Sequence, residues 1–245
     1  MLRSTVICAV VTSSLIGACA SDRSASEDEL AGETDDDGET GKGDAVDAFT
    51  YFKLTPDTRE CTPPACGGYY VERANRALLK CGNDMVKSCY VGEIAWETGM
   101  PSSMTTDFEQ RLRGGEGLLL RGDVVNNPIT RFLELSAKEI WVPASANGVA
   151  EGVFVLAKDN GIRCLTSPCP SITEIRLNSN RSTSITDLDL TPAGADEETI
   201  ARAWQELGTA GLIVVGDRVF PENQGNGAKG RSANQFYLKA PVPLM

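Results

Sequence analysis

The hexapeptide CTPPAC at Cys61–Cys66 returns as CLTSPC at Cys164–Cys169, and the recurrence extends well beyond those twelve residues. Setting Cys61 on Cys164, an offset of 103, also sets Cys66 on Cys169, Arg73 on Arg176 and Asn75 on Asn178. Upstream, Phe52-Lys53-Leu54 lies over Phe154-Val155-Leu156 and Asp57 over Asp159, once one extra residue is allowed before Cys164. Downstream the offset falls to 94: GLLLRGD (Gly117–Asp123) lies over GLIVVGD (Gly211–Asp217), and Val125 over Val219. Ser136–Val142 then parallels Ser232–Leu238. Colinear matches through four segments predict a tandem internal duplication of a unit of about 95 residues, with the seam in ASANGVAEG at 144–152.

Each copy reads as β-β-β-α-β-β. A strand at Tyr51–Leu54, or Phe154–Ala157, runs into a turn bearing Asp57 or Asp159 and then the cysteine loop. Alternation predicts a second strand over Tyr69–Asn75 or Ile172–Asn178, and a third over Val91–Trp96 or Ile185–Leu190. In the second copy Ile200, Ala203, Trp204 and Leu207 fall at helical spacing on one stripe. Asp196 caps that helix, Glu197 and Glu198 occupy its positive first turn, and Gly208 ends it. The first copy has the shorter stripe Phe108 and Leu112, stopped at Gly114-Gly115. A buried strand follows (Leu118–Leu120, Leu212–Val215), closed by a Gly-Asp turn, and a last strand lies near Ile140 or Phe236. The expected class is α+β, β-rich and disulfide-clipped, with a first repeat over 48–146 and a second over 147–245.

The N-terminus predicts export. Arg3 precedes a charge-free run from Thr5 to Ala18, 14 residues against the roughly 20 needed to span a bilayer, ending in Leu-Ile-Gly-Ala-Cys. That ending resembles a bacterial lipobox, which implies a signal peptide over 1–18 and lipid attached to Cys19. Residues 19–47 form an acidic tether: from 20 to 47 eleven acids stand against Arg23 and Lys42, with almost no large apolar side chain. Such composition cannot bury enough surface to order itself. DDDG at Asp35–Gly38 lacks the later glutamate of a calcium loop. With a net charge of −11 for the chain and no basic stripe, nucleic acid is not an expected partner.

Cys8 leaves with the signal peptide, and the second copy then holds only Cys164 and Cys169. In an exported monomer these pair with each other or stay free; by homology between the halves Cys61 pairs with Cys66, leaving Cys81 for Cys89. The last two lie in nine extra residues that account for the fall in offset. A zinc site on the four thiols of the first half is the rival. Export, the spacing and the complete lack of histidine speak against it, so neither metal nor cofactor is expected.

The lack of histidine also removes Ser-His-Asp and Cys-His catalysis. Paired carboxylates remain, and Glu93 with Glu97, or Asp187 with Asp189, are neighbours in sequence only. Gly225-Asn226-Gly227 lacks the strand and helix of a phosphate loop and reads as a surface loop. Arg121-Gly122-Asp123 spells an integrin-binding tripeptide, but Val215 replaces the arginine in the second copy. Arg73, Asn75, Arg176 and Asn178, two apart on one strand face in each copy, read either as twin binding sites or as a repeated structural hydrogen bond.

The cysteine loop before an alternating strand, the Gly-Asp pair and the lipobox with its acidic tether resemble an uncharacterised domain-of-unknown-function family of bacterial envelope lipoproteins. The resemblance covers most of residues 48–245 and implies address and architecture only. The expectation is a secreted protein held at a bacterial membrane, outer membrane or cell surface, through Cys19. Its duplicated body is expected to be a non-catalytic binding or structural module for an envelope protein or matrix component. The alternatives are a protease-inhibitor-like protein presenting the pinned loops Thr62–Ala65 and Leu165–Pro168, whose pre-organisation lowers the entropy lost on binding, and a carboxylate-based hydrolase.

Overall fold

Strand register organises the molecule. The computed structural model describes residues 50–96, 100–145, 150, 152–220 and 228–241. Cys8, Cys19, the acidic tether, Glu97 and Gly225–Gly227 lie outside the described residues. The first half runs β1 (Thr50–Pro56), β2 (Tyr69–Arg73), a hairpin of β3 (Leu79–Cys81) and β4 (Asp84–Val86), then β5 (Cys89–Val91), β6 (Glu93–Trp96), α1 (Ser102–Arg113), β7 (Leu119–Asn126) and β8 (Leu133–Pro143). The second runs β9 (Phe154–Asp159), β10 (Ile172–Arg176), β11 (Ser182–Ile185), β12 (Asp187–Asp189), a 3-10 turn at Thr191–Ala193, α2 (Glu197–Leu207), β13 (Leu212–Val219) and β14 (Gly230–Lys239).

The protein is thus β-rich, with two α-helices and one large, mainly antiparallel sheet in the order β11-β10-β9-β13-β14-β8-β7-β1-β2-β5. In the first half β1 pairs antiparallel with β2 and β7, β2 with β5, β7 with β8, and β6 lies parallel to β8. The second half repeats these pairings with β9, β10, β11, β12, β13 and β14. Counting β5 and β6 as one interrupted strand 3, the order is 1-2-3-5-4-1 with the helix between strands 3 and 4. This is the connectivity of the small OB-type Greek-key barrel. The barrels join where the C-terminal ends of β8 and β14 pair antiparallel, Val142 opposite Leu238.

Three cores follow from this arrangement. Phe52, Val71, Val91, Phe108, Leu120, Leu135 and Ile140 fill the first barrel; Val155, Ile172, Ile185, Leu188, Leu207, Val214 and Phe236 fill the second. Between them Ala74, Leu119, Trp141, Phe154, Leu177, Ile213 and Tyr237 form a junction core. The aliphatic runs Leu118–Leu120 and Leu212–Val215 are buried on both faces, which is why they read as continuous rather than alternating.

Several expectations are corrected. The third strand is broken in each half: β5 pairs with β2 and β6 with β8, and the chain changes partner at Gly92, whose N–H donates to the Leu133 carbonyl, as that of Thr186 does to Lys229. The Gly-Asp pairs are not turns. β7 and β13 continue through them with a register shift at Arg121/Gly122 and Val215/Gly216, so each is a β-bulge. Glycine is required because a Cβ there would lie 2.0 Å from the Ser136 or Ser232 carbonyl oxygen. The second strands stop at Arg73 and Arg176, short of the asparagines. Register also sets Val155, not Phe154, in the place of Phe52, since Phe52 faces Arg73 and Val155 faces Arg176. Finally Trp204 is 44% exposed: α2 buries Ala203 and Leu207, a narrower stripe than the spacing predicted.

The disulfides join Cys61 to Cys66, Cys81 to Cys89 and Cys164 to Cys169. The nine extra residues of the first half contribute to the β3–β4 hairpin, whose stem the Cys81–Cys89 bridge ties to β5.

Candidate functional site

The junction between the barrels collects the residues singled out by recurrence. Asn75 and Asn178 follow β2 and β10 with φ of 58° and 56°, the left-handed conformation asparagine tolerates better than most residues. Asn75 Nδ2 donates to the carbonyls of Phe154 (2.6 Å) and Leu177 (3.2 Å), and its Oδ1 accepts from Phe154 N–H (2.8 Å). Asn178 mirrors it, donating to Tyr51 (2.9 Å) and Ala74 (2.7 Å) and accepting from Tyr51 N–H (2.9 Å). Each amide stands in for a strand neighbour of the other half's first strand. Both are engaged as repeated structural hydrogen bonds. Arg73 and Arg176 end β2 and β10, and Arg76 Nε donates to the Asn178 carbonyl at 2.9 Å.

Beside the paired ends of β8 and β14, residues of α1 and α2 border one cleft of about 540 Å³. Met104 and Phe108 from α1, with Val142 and Leu238 from the paired strand ends, give it apolar walls. Asp107 and Arg111 come from α1, and Arg202 with Thr199 from α2. Asp107 directly precedes the buried Phe108, and Arg202 directly precedes the buried Ala203, so the two occupy matching places on their helices. Arg111 is held by Glu116 at 2.7 Å. Among the described residues the side chains of Asp107 and Arg202 have no hydrogen-bond or ion-pair partner.

The cysteine loops are held at their bases by acid–arginine forks. Arg59 grips Asp57 through Nε and Nη2, its hydrogen bond holding that carboxyl below its ordinary value. Arg163 grips Asp159, and with help from the Gly161 N–H brings its pKa down to about 2. The two loops differ in exposure. Arg59 caps the Tyr70–Tyr90 pair, with its Cζ 5.7 and 5.4 Å from the ring centroids, and Tyr90 donates to the Pro64 carbonyl at 2.8 Å. In the second loop Leu165 is fully exposed, at 105%.

Of the two carboxylate pairs near in sequence, that of Glu93 with Glu97 has one member outside the described residues. Asp187 and Asp189 are exposed on β12. Glu93, also exposed, accepts from Asn127, which bridges it to Glu134. Among the described residues no group of three or more metal-binding side chains gathers, and no helix is long and apolar enough to cross a membrane. Sequence reasoning missed Asp107 and Arg202. Each reads as a solvated position on a helix, and because the matching places hold unlike residues, recurrence does not single them out.

Fold and site define a disulfide-clipped, β-rich protein of two joined barrels with a cleft at the junction. The chain belongs to the family described as Domain of unknown function (DUF6748), whose model matches residues 50–242. No curated protein and no solved structure matches it.

Proposed function

We propose that this protein is an exported, lipid-anchored, non-catalytic binding module of the bacterial envelope, built by tandem duplication of one barrel unit. The observation that carries the reading is the cysteine pairing: all six cysteines of the folded body form short-range disulfides, which persist in oxidising compartments and not in a reducing cytosol. The Leu-Ile-Gly-Ala-Cys ending supports anchoring at Cys19, and the acidic segment behind it a spacer. Common connectivity, matching bulges at Gly122 and Gly216, and the mirrored asparagines support duplication. Labelling with a palmitate analogue in a bacterial host is expected to tag the protein, and Cys19→Ala to move it from the membrane to the soluble fraction. Unlabelled wild-type protein found only in soluble periplasm would overturn the anchor.

One observation favours a second reading, a protease-inhibitor-like display of pinned loops: the full exposure of Leu165 beside the Cys164–Cys169 bridge. Inhibition of an apolar-specific protease that falls on Leu165→Asp supports it. A protease panel unaffected by micromolar protein ends it.

A further inference from the structure

We propose that the cleft between α1 and α2 binds short apolar peptides in zwitterionic form, the ligand's ammonium group at Asp107 and its carboxylate at Arg202. The inference stands apart from the anchor at Cys19. Failure of the anchor leaves the cleft intact, and an empty cleft leaves the anchor untouched.

The cleft's volume, about 540 Å³, lies inside the roughly 300–1,000 Å³ range of small-molecule sites, which favour domain junctions and the spaces between helices. Its walls explain the ligand's middle. Met104, Phe108, Val142 and Leu238 offer apolar surface with no side-chain donor or acceptor, so a ligand's aliphatic side chains lose water there at no polar cost while its peptide N–H and C=O groups turn to the open side of the cleft.

The charges explain its ends. Asp107 and Arg202 stand on different helices, line the same cleft, and have no partner among the described residues. They carry opposite charge yet do not pair with each other, so each is available to an opposite charge brought from outside. A monovalent ion would satisfy one of them and leave the apolar walls bare. An amphiphile with one charged end would leave the other charge facing its apolar tail. A molecule with an ammonium group, an apolar body and a carboxylate meets all three features. Arginine also presents the forked donor geometry that suits a carboxylate. The walls sit on elements fixed by hydrogen-bonded strand ends, with Val142 facing Leu238, so the site is pre-organised.

The test is calorimetric titration of the purified Cys19→Ala protein with the tripeptide Leu-Ala-Leu, its N-acetyl form and its C-terminal amide. Saturable binding of the free tripeptide is expected, with a loss of about tenfold or more on acetylation or amidation. Asp107→Asn should remove the penalty for acetylation only, and Arg202→Gln the penalty for amidation only. Both side chains are exposed, so the variants should melt like the parent, which circular dichroism checks. The double exchange Asp107→Arg with Arg202→Asp should recover binding of the zwitterion. No saturable binding up to about 10 mM would overturn the proposal. So would equal binding of the blocked peptides, or binding indifferent to both substitutions.

Discussion

Asn75 and Asn178 reach across the junction in opposite directions: each amide brackets the first-strand residue of the other half, Phe154 in one case and Tyr51 in the other, donating to its carbonyl and accepting from its N–H. The barrels are therefore tied by side chains that complete each other's sheets, beside the apolar junction core. Residues 127 and 79 positions apart are coupled at these two points.

Removing one clamp should be felt as global stability. Asn178→Ala takes the amide from the Tyr51 N–H, from the Ala74 carbonyl and from the Tyr51 carbonyl, which keeps only the Ala74 N–H, and places a Cβ-bearing residue in the left-handed region without its amide, a loss of about 2–4 kcal/mol. Asn178→Gly relieves the backbone term and should lose about 1 kcal/mol less. Guanidinium unfolding of the oxidised protein measures both; a change under about 0.5 kcal/mol for the alanine variant would show that the clamp does not hold the halves.

The second barrel carries a buried ion pair where the first carries hydrocarbon. Arg231 and Glu174 are 3% and 1% exposed and form a two-point pair, with Arg231 also donating to the Gly216 carbonyl. Strand register puts Leu135 and Val71 at the matching places in the first barrel. Glu174→Val alone should cost about 3–5 kcal/mol, since it leaves a buried guanidinium unpaired. Glu174→Val with Arg231→Leu, the first barrel's solution, should recover most of that loss or exceed wild-type stability. A double variant as unstable as the single would refute the equivalence of the two cores.

Gly122→Ala and Gly216→Ala should each destabilise by more than about 2 kcal/mol, because the new methyl would lie 2.0 Å from a carbonyl oxygen of the paired strand. Gly115→Ala is the control: its φ of 75° is strained for alanine, but nothing lies within 4 Å, so only about 1–2 kcal/mol is expected. Thermal melts of the three variants rank the effects. Equal shifts would mean that backbone conformation, and not the approach of the neighbouring strand, selects the bulge glycines.

Asp159 should titrate near 2 in the folded protein. Because its folded pKa lies below the unfolded value of about 3.9, the fork to Arg163 contributes order above that value and loses it as pH falls through about 2. Carboxyl NMR titration should show Arg163→Gln moving the Asp159 midpoint up toward the ordinary range. A wild-type midpoint near 4 would mean the fork is open in solution.

Local chemistry was legible and long-range pairing was not. Asp196 caps α2 as its position implied, Oδ1 accepting from Thr199 N–H at 2.7 Å, and Gly208 ends the helix. The break in strand 3 is silent in the sequence because alternation encodes which face is buried, not which strand lies alongside. Gly92 and Thr186 matter only through Leu133 and Lys229, some 40 residues away. Gly-Asp reads as a turn until the Ser136 and Ser232 carbonyls are seen opposite. The asparagines sat in plain repetition, yet their partners lie in the other half. Asp107 and Arg202 carried no mark at all, since adjacency across two helices is a property of the assembled barrels.

Twofold symmetry forbids what this cleft contains. In a pair of identical subunits, a residue beside the axis meets its own copy, so an acid at the place of Asp107 would meet an acid. Here the matching place holds Arg202, and the opposition of unlike charges exists only because both barrels lie on one chain and vary independently. On the proposed descent from a single unit, fusion changed more than stoichiometry. Under the proposed reading of the cleft, it let the two matching places differ and so gave one surface a head and a tail.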